Sequence, residues 1–199
     1  MFVTFEGIDG SGKSTQADLL AEALRAEGRH VVATREPGGT ELGERIRELL
    51  LGHEAEVSPW AETTLFAAAR AQLVEDVIHP ALRDGADVVC DRYLDSSLAY
   101  QGLARGLGVE RVLELNLHAT RGLLPDRTFL VVIDPEEALR RASGDRDRIE
   151  GEGLDFQATV ERAYEEIAAM FPNRITKLDG TRPAAGLARI VREALRALP

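Results

Sequence analysis

The chain has 199 residues, 44% of them hydrophobic and 29% charged, with a formal net charge of −10. That length and balance fit one α/β domain with a sizeable core. The acidity argues against a nucleic-acid surface or an anionic membrane as partner, because phosphate-rich surfaces select basic faces. Cys90 is the only cysteine, which excludes an intrachain disulfide and a multi-cysteine metal site. It ends the apolar run 86–89 and reads as an inert buried thiol. His30, His53, His79 and His118 show no metal-ligand spacing. No apolar run approaches the ~18 residues that span a bilayer. The first predicted strand starts at Phe2, which leaves no room for a secretory leader. A cytoplasmic protein is expected.

The run Phe2-Val3-Thr4-Phe5-Glu6 predicts a buried strand. Behind it stands Gly7-Ile8-Asp9-Gly10-Ser11-Gly12-Lys13-Ser14, followed by Thr15, a complete G-x-x-x-x-G-K-[ST] phosphate loop. Leu19, Leu20, Ala23 and Leu24 give the segment 15–26 a helical period. Strand, glycine loop and helix make the context in which successive backbone N–H groups and the helix N-terminus cradle a phosphate. Lys13 is expected on the β/γ-phosphates, and the Ser14 hydroxyl on Mg²⁺. A nucleoside triphosphate is therefore the predicted ligand.

Further strands are predicted at 30–34, 86–90, 127–133 and 174–178, with helical patterns between them. Such alternation predicts a three-layer α/β/α domain of the P-loop NTPase type, its five-stranded parallel sheet covered on both faces. Ligands of such sheets gather at the carboxyl ends of the strands. The segment 58–84 predicts one helix with Ser58 as N-cap and Pro59 in its first turn, bent near Pro80. After the third strand comes Asp91-Arg92-Tyr93. Asp91 beside the phosphate loop suits Mg²⁺, and Arg92 suits a transferring or accepting phosphoryl group. Asp134-Pro135 predicts a helix start, and 183–198 a C-terminal helix.

Taken together, the phosphate loop, Thr34-Arg35-Glu36-Pro37-Gly38-Gly39-Thr40, Leu65-Phe66 through Arg70, Asp91 through Gln101 and Asp147-Arg148-Ile149-Glu150 resemble the thymidylate (dTMP) kinase family, in that order, over residues 2 to about 172. The resemblance implies a single domain over 1–199 with a mobile lid near 141–153, a homodimer formed through long helices including 58–84, and transfer of phosphate from ATP to dTMP with Mg²⁺ in dTTP synthesis. It implies that Asp9 bonds the dTMP 3′-hydroxyl. Phe66 would stack on the base while Arg70, one helical turn on, donates to its O4. Ser97 would bond near N3, Tyr100 would exclude a ribose 2′-hydroxyl, and Gln101 would support the base edge. Arg35 and Arg92 would meet the acceptor phosphate, near a proline that is often cis in the family. Gly10 stands where one branch of the family carries a catalytic arginine, whereas Arg141, Arg146 and Arg148 populate the lid, the pattern of the bacterial lid-arginine branch. Arg148 and then Arg146 are the expected catalytic lid residues, with Arg141 on the nucleotide.

The alternatives are another (deoxy)nucleoside monophosphate kinase, or a nucleotide-dependent switch. A guanine-reading Asn-Lys-x-Asp motif is absent from the sequence, which weakens a GTPase switch.

Overall fold

A computed structural model describes residues 1–52, 56–142 and 147–196. β1 (Phe2–Glu6), β2 (Val31–Arg35), β3 (Asp87–Asp91), β4 (Arg127–Val132) and β5 (Ile175–Asp179) form one sheet in the order β2-β3-β1-β4-β5. Every pairing is parallel, and Phe5 and Arg35 both lie level with Asp91. The strands start one residue later than expected, except β1 and β4, and β4 ends one residue early. Side-chain alternation divides the core. Val3, Phe5, Phe129 and Val131 face a cluster built with α1 (Lys13–Ala26) and α9 (Ala184–Arg196). Phe2, Val88, Cys90 and Leu130 face the larger cluster on the opposite side. Hydrophobic residues covering both faces explain why the strands read as nearly continuous apolar runs.

The larger cluster is covered by α3 (Pro59–Leu73), α4 (His79–Arg83), α5 (Leu94–Ser97), α6 (Val109–Ala119) and α8 (Leu154–Met170). The predicted helix 58–84 is α3 and α4 joined by a wider π-type turn, Val74–Ile78. Pro80 lies in the first turn of α4, and a proline ring cannot sit over the carbonyl four residues back in a regular α-turn. The wider turn relieves that conflict. Ser58 precedes Pro59 as expected but makes no side-chain cap. Asp134 does cap, accepting from Glu136 N at 2.9 Å and opening α7 (Pro135–Arg141). α2 (Glu41–Leu51) is capped by Thr40, whose hydroxyl accepts from Gly43 N at 3.0 Å. A second π-type turn, Leu98–Ala104, continues α5. Among the described residues no helix is long and apolar enough to cross a membrane.

One polar cluster is buried under the sheet. Arg174 donates to both Asp95 oxygens, at 2.5 and 2.7 Å, and to Thr128 Oγ1 at 2.9 Å. Asp95 is 1% exposed. A buried pair is costly to break because the surviving charge is stranded. Arg174→Met should therefore lower unfolding free energy by about 3–5 kcal/mol, read as a lower urea midpoint. Adding Asp95→Asn should recover part of the loss, since no charge then remains unpaired.

Candidate active site

β1 lies between β3 and β4, so the loops after these strands open side by side at the carboxyl edge. The loop after β1 lines a cleft of about 600 Å³ with residues 9–16, together with Arg141, Glu150, Gly180 and Arg182. Gly7 and Ile8 lie beneath it: a Cβ on Gly7 would stand 2.6 Å from Val131 O, and Ile8 belongs to the core. Gly10 has φ +81 and a Cβ there would meet Ala138 O at 2.1 Å. α7 thus packs so closely on the loop that no side chain, an arginine included, fits at position 10.

A second cleft lies on the other side of Asp9. Asp9, Pro37, Arg47, Phe66, Arg92, Ser97, Tyr100, Gln101 and residues 147, 149 and 150 line it. Its free volume of about 100 Å³ is below the roughly 300 Å³ usual for a small-molecule site. Ile149 and Glu150, from the segment expected to form a lid, are among its lining residues. Asp9 and Glu150 line both clefts, which therefore meet there.

Asp9 Oδ1 accepts from Lys13 Nζ at 2.8 Å and from Arg92 Nη2 at 2.7 Å. Burial opposes charge on Asp9, but Arg92 and Lys13 hold its carboxyl well below the usual carboxylate range. Arg92 has φ 69, a conformation unusual for a non-glycine residue and typical of functional positions. Its Nη1 donates to Ser96 Oγ at 3.2 Å and Tyr164 OH at 3.0 Å. Behind these, Glu6 Oε2 accepts from Ser96 Oγ at 2.6 Å and from Tyr164 OH at 3.0 Å. When Glu6 is ionised, both hydroxyls thus spend their hydrogens on it and turn lone pairs to Arg92. Residues Glu6 and Tyr164 were not singled out from sequence; each gains its place only through this tertiary contact.

Ser14 Oγ donates to Asp91 Oδ2 at 2.5 Å, while Asp91 Oδ1 is buried without a partner among the described residues. Adjacent hydroxyl and carboxylate oxygens beside a phosphate loop fit Mg²⁺, which takes few protein ligands and completes its shell with phosphate and water. Among the described residues no cluster of three or more His, Cys, Asp or Glu suits a metal. Cys90 is buried, its Sγ donates to Arg92 O at 3.0 Å, and burial pushes its thiol up, as an inert role requires.

The acceptor residues are only partly where the sequence put them. Phe66, Ser97, Tyr100 and Gln101 share the second cleft. Arg70 does not line it. Its guanidinium is 1% exposed and fully engaged: Nε and Nη2 on Glu36 at 2.7 and 2.5 Å, Nη2 on Tyr93 O at 3.0 Å, Nη1 on Ser97 Oγ at 3.0 Å and on Asn116 Oδ1. Arg35 is likewise elsewhere, on Glu44 at 3.0 Å at the surface. Arg47 of α2 occupies the cleft instead, donating to Pro37 O at 3.0 Å. The Glu36–Pro37 bond is cis.

The lid arginines also separate. Arg141 lines the phosphate-loop cleft and donates to Gly180 O at 2.8 Å. Arg148 lines neither cleft. It donates to Leu50 O at 2.9 Å and to Glu62 at 2.6 Å, which ties the lid to α2 and α3. Arg146 lies outside the described residues.

Two clefts meeting at a phosphate loop, with basic residues converging between them, define a P-loop phosphotransferase. A sequence profile of the thymidylate kinase family matches residues 5–189. Similarity extends to the thymidylate kinase of Caldanaerobacter subterraneus subsp. tengcongensis, 47% identical over 98% of this chain and 94% of that one. That of Bifidobacterium longum is 49% identical over 91% and 90%. The crystal structure of thymidylate kinase from Ehrlichia chaffeensis superposes with a TM-score of 0.77, at 35% identity over 98% of both chains. The chain belongs to the thymidylate kinase family.

Burial, then Asp95, raises Glu6 to about 7, and burial raises Glu161 to about 7 as well. Both hold a proton more tightly folded than unfolded, where 4.5 is the ordinary value. Stability from this source is complete below pH 4.5 and is lost as pH rises toward 7. Denaturant unfolding across that window should show a downward slope, flattened in a Glu6→Gln, Glu161→Gln double variant. An equal slope in the variant would refute the assignment.

Proposed function

We infer that the chain transfers the γ-phosphoryl group of ATP to the phosphate of dTMP, giving dTDP in dTTP synthesis. The observation that carries the reading is the convergence on Asp9 of a phosphate-loop cleft and a cleft lined by Phe66, Ser97, Tyr100 and Gln101. Family membership favours dTMP over other acceptors and gives no support to the switch alternative.

We assign ATP to the phosphate-loop cleft, with the backbone N–H groups and Lys13 on its phosphates and Arg141 and Arg182 at its border. Mg²⁺ would be held by Ser14 and Asp91 and would neutralise phosphate charge. The acceptor oxygen belongs to a phosphate already ionised, so no general base is needed, and positioning plus charge neutralisation carry the reaction. Arg92 lines the second cleft and bonds Asp9, where the clefts meet, and is placed to offset charge on the transferring group. Arg47 takes the acceptor-phosphate role first given to Arg35, since it lines the cleft and Arg35 does not. Phe66 stacks on the base, Tyr100 walls off a 2′-hydroxyl, and Asp9 meets the 3′-hydroxyl. Arg70 is buried and tied to Glu36, Tyr93, Ser97 and Asn116, so it reaches the base through Ser97 or by exchanging that one bond. Arg148 fastens the lid; Arg92 and not Arg148 is the proposed catalytic arginine. Ile149 and Glu150 must yield for dTMP to enter the narrow cleft and then shield it from water.

A homodimer formed through the segment 58–84 and a cytoplasmic location belong to the same reading. Trp60 on α3, 43% exposed, and Leu49 on α2, 60% exposed, supply apolar surface for such an interface.

The test is an ADP-release assay with ATP, Mg²⁺ and dTMP, dUMP, dCMP, UMP, AMP or thymidine. Fast turnover with dTMP, slower with dUMP and negligible with the others is expected. ADP release independent of any acceptor would overturn the reading.

A further inference from the structure

Glu62 lies on α3, touches neither cleft and is 0% exposed. Its Oε1 accepts from Gln101 Nε2 at 2.8 Å and from Arg105 Nε at 2.6 Å. Its Oε2 accepts from Arg105 Nη2 at 3.1 Å and Arg148 Nη2 at 2.6 Å. Burial opposes its charge, but the bonds from Arg148, Arg105 and Gln101 hold it below the usual carboxylate range. An ionised carboxylate accepts and never donates. The Gln101 amide therefore has one allowed orientation, with Nε2 turned back to Glu62. Its Oε1 takes part in no hydrogen bond among the described residues and is the end left to the cleft that Gln101 lines.

The neighbouring reader is fixed in the opposite sense. Arg70 has only donors, so Ser97 Oγ must accept from it and keeps its own hydrogen for the cleft wall. The wall thus offers a hydroxyl donor beside an amide acceptor. Thymine presents the matching pattern, an O4 acceptor beside an N3–H donor. Cytosine presents the reverse, an N4 amino donor beside an N3 acceptor.

We propose that Glu62, by locking the amide of Gln101, is a specificity-determining residue that makes the acceptor site read a 4-oxo rather than a 4-amino pyrimidine. The proposal rests on the dTMP reading above and adds the residue that sets the polarity of the base site. Glu62 is a positioning residue, because it acts on the base only through Gln101.

Substitution Glu62→Gln inverts the lock. Either orientation sets the introduced NH₂ group against an arginine, but with the carbonyl on Arg105 Nη2 and Arg148 Nη2 it faces only Arg105 Nε, whereas the reverse would set it against both Nη2 groups, so the carbonyl turns to Arg105 Nη2 and Arg148. That NH₂ group then points at Gln101, whose own amide must flip to accept and so turns Nε2 to the cleft.

The experiment compares kcat/KM for dTMP and 5-methyl-dCMP, which share the methyl, sugar and phosphate and differ only at the 3,4 edge. The native enzyme should strongly prefer dTMP; indifference would overturn the dTMP reading itself. In Glu62→Gln the preference should fall by roughly 10- to 100-fold, the range for an inverted base-edge contact. Loss of lid anchoring through Arg148 lowers both rates together and leaves their ratio unmoved. A native ratio with both rates depressed would therefore overturn the role of Glu62 while the dTMP reading stands. Should Glu62→Gln not fold, Gln101→Met gives the second test. An apolar side chain reads neither pattern, so the preference should again fall; an unchanged preference would remove Gln101 as reader, and Glu62 with it.

Discussion

A single carboxylate, Asp9, bridges Lys13 of the phosphate loop and Arg92 of the loop after β3, and the geometry of both clefts follows from that bridge. Three charges packed at a strand edge persist only where the backbone holds them. β1 and β3 are adjacent and in register, so Arg92 N reaches Phe5 O at 2.9 Å and fixes one loop to the other strand. The positive φ of Arg92 turns its side chain across the edge toward Asp9. Ser96 and Tyr164 then hold the guanidinium from behind, with Glu6 orienting their hydroxyls. The site is preorganised for anions, and donors fixed in a low-dielectric setting stabilise transferring charge without reorganising.

The second cleft follows the same pattern of lining side chains backed by buried charge. Phe66, Ser97, Gln101 and Glu36 line the cleft, while Arg70, the partner of Glu36, and the pair Arg105–Glu62 lie behind them. Buried ion pairs add little net stability after desolvation. Their value here is directional: a guanidinium donates only and a carboxylate accepts only, so each neighbouring hydroxyl or amide has one allowed orientation. Arg148 also joins this layer, through Glu62.

The architecture was legible because it depends on local signals. Apolar runs marked the strands to within a residue, Asp134 and Pro135 marked a helix start, and the phosphate loop announced itself through glycines such as Gly7 and Gly10, whose positions admit no Cβ. Residues adjacent to strand ends, Asp9, Asp91 and Arg92, were legible for the same reason. Arg47, Glu6, Tyr164 and Glu62 were not, because each is an ordinary residue of a helix or strand until another element packs on it. Arg35 shows the reverse. It sits at a strand end, yet Glu44 of α2 captures it at the surface. Arg148 carried a family motif that sequence reading joined to the phosphates, whereas its partners on α2 and α3 are distant in sequence. The bend expected at Pro80 was right in place, but its form, a widened turn before the proline, depends on backbone sterics that no hydrophobic pattern records.

The central claim is that donor and acceptor occupy two clefts that meet at Asp9, to which Arg92 of the second cleft is bonded. Equilibrium competition with a single compound joining adenosine to thymidine through a pentaphosphate tests it most directly. The account predicts tight binding that excludes ATP and dTMP together, weakened for both in Arg92→Ala. Displacement of only one of the two nucleotides would show that the clefts do not form one continuous site, and would contradict the account.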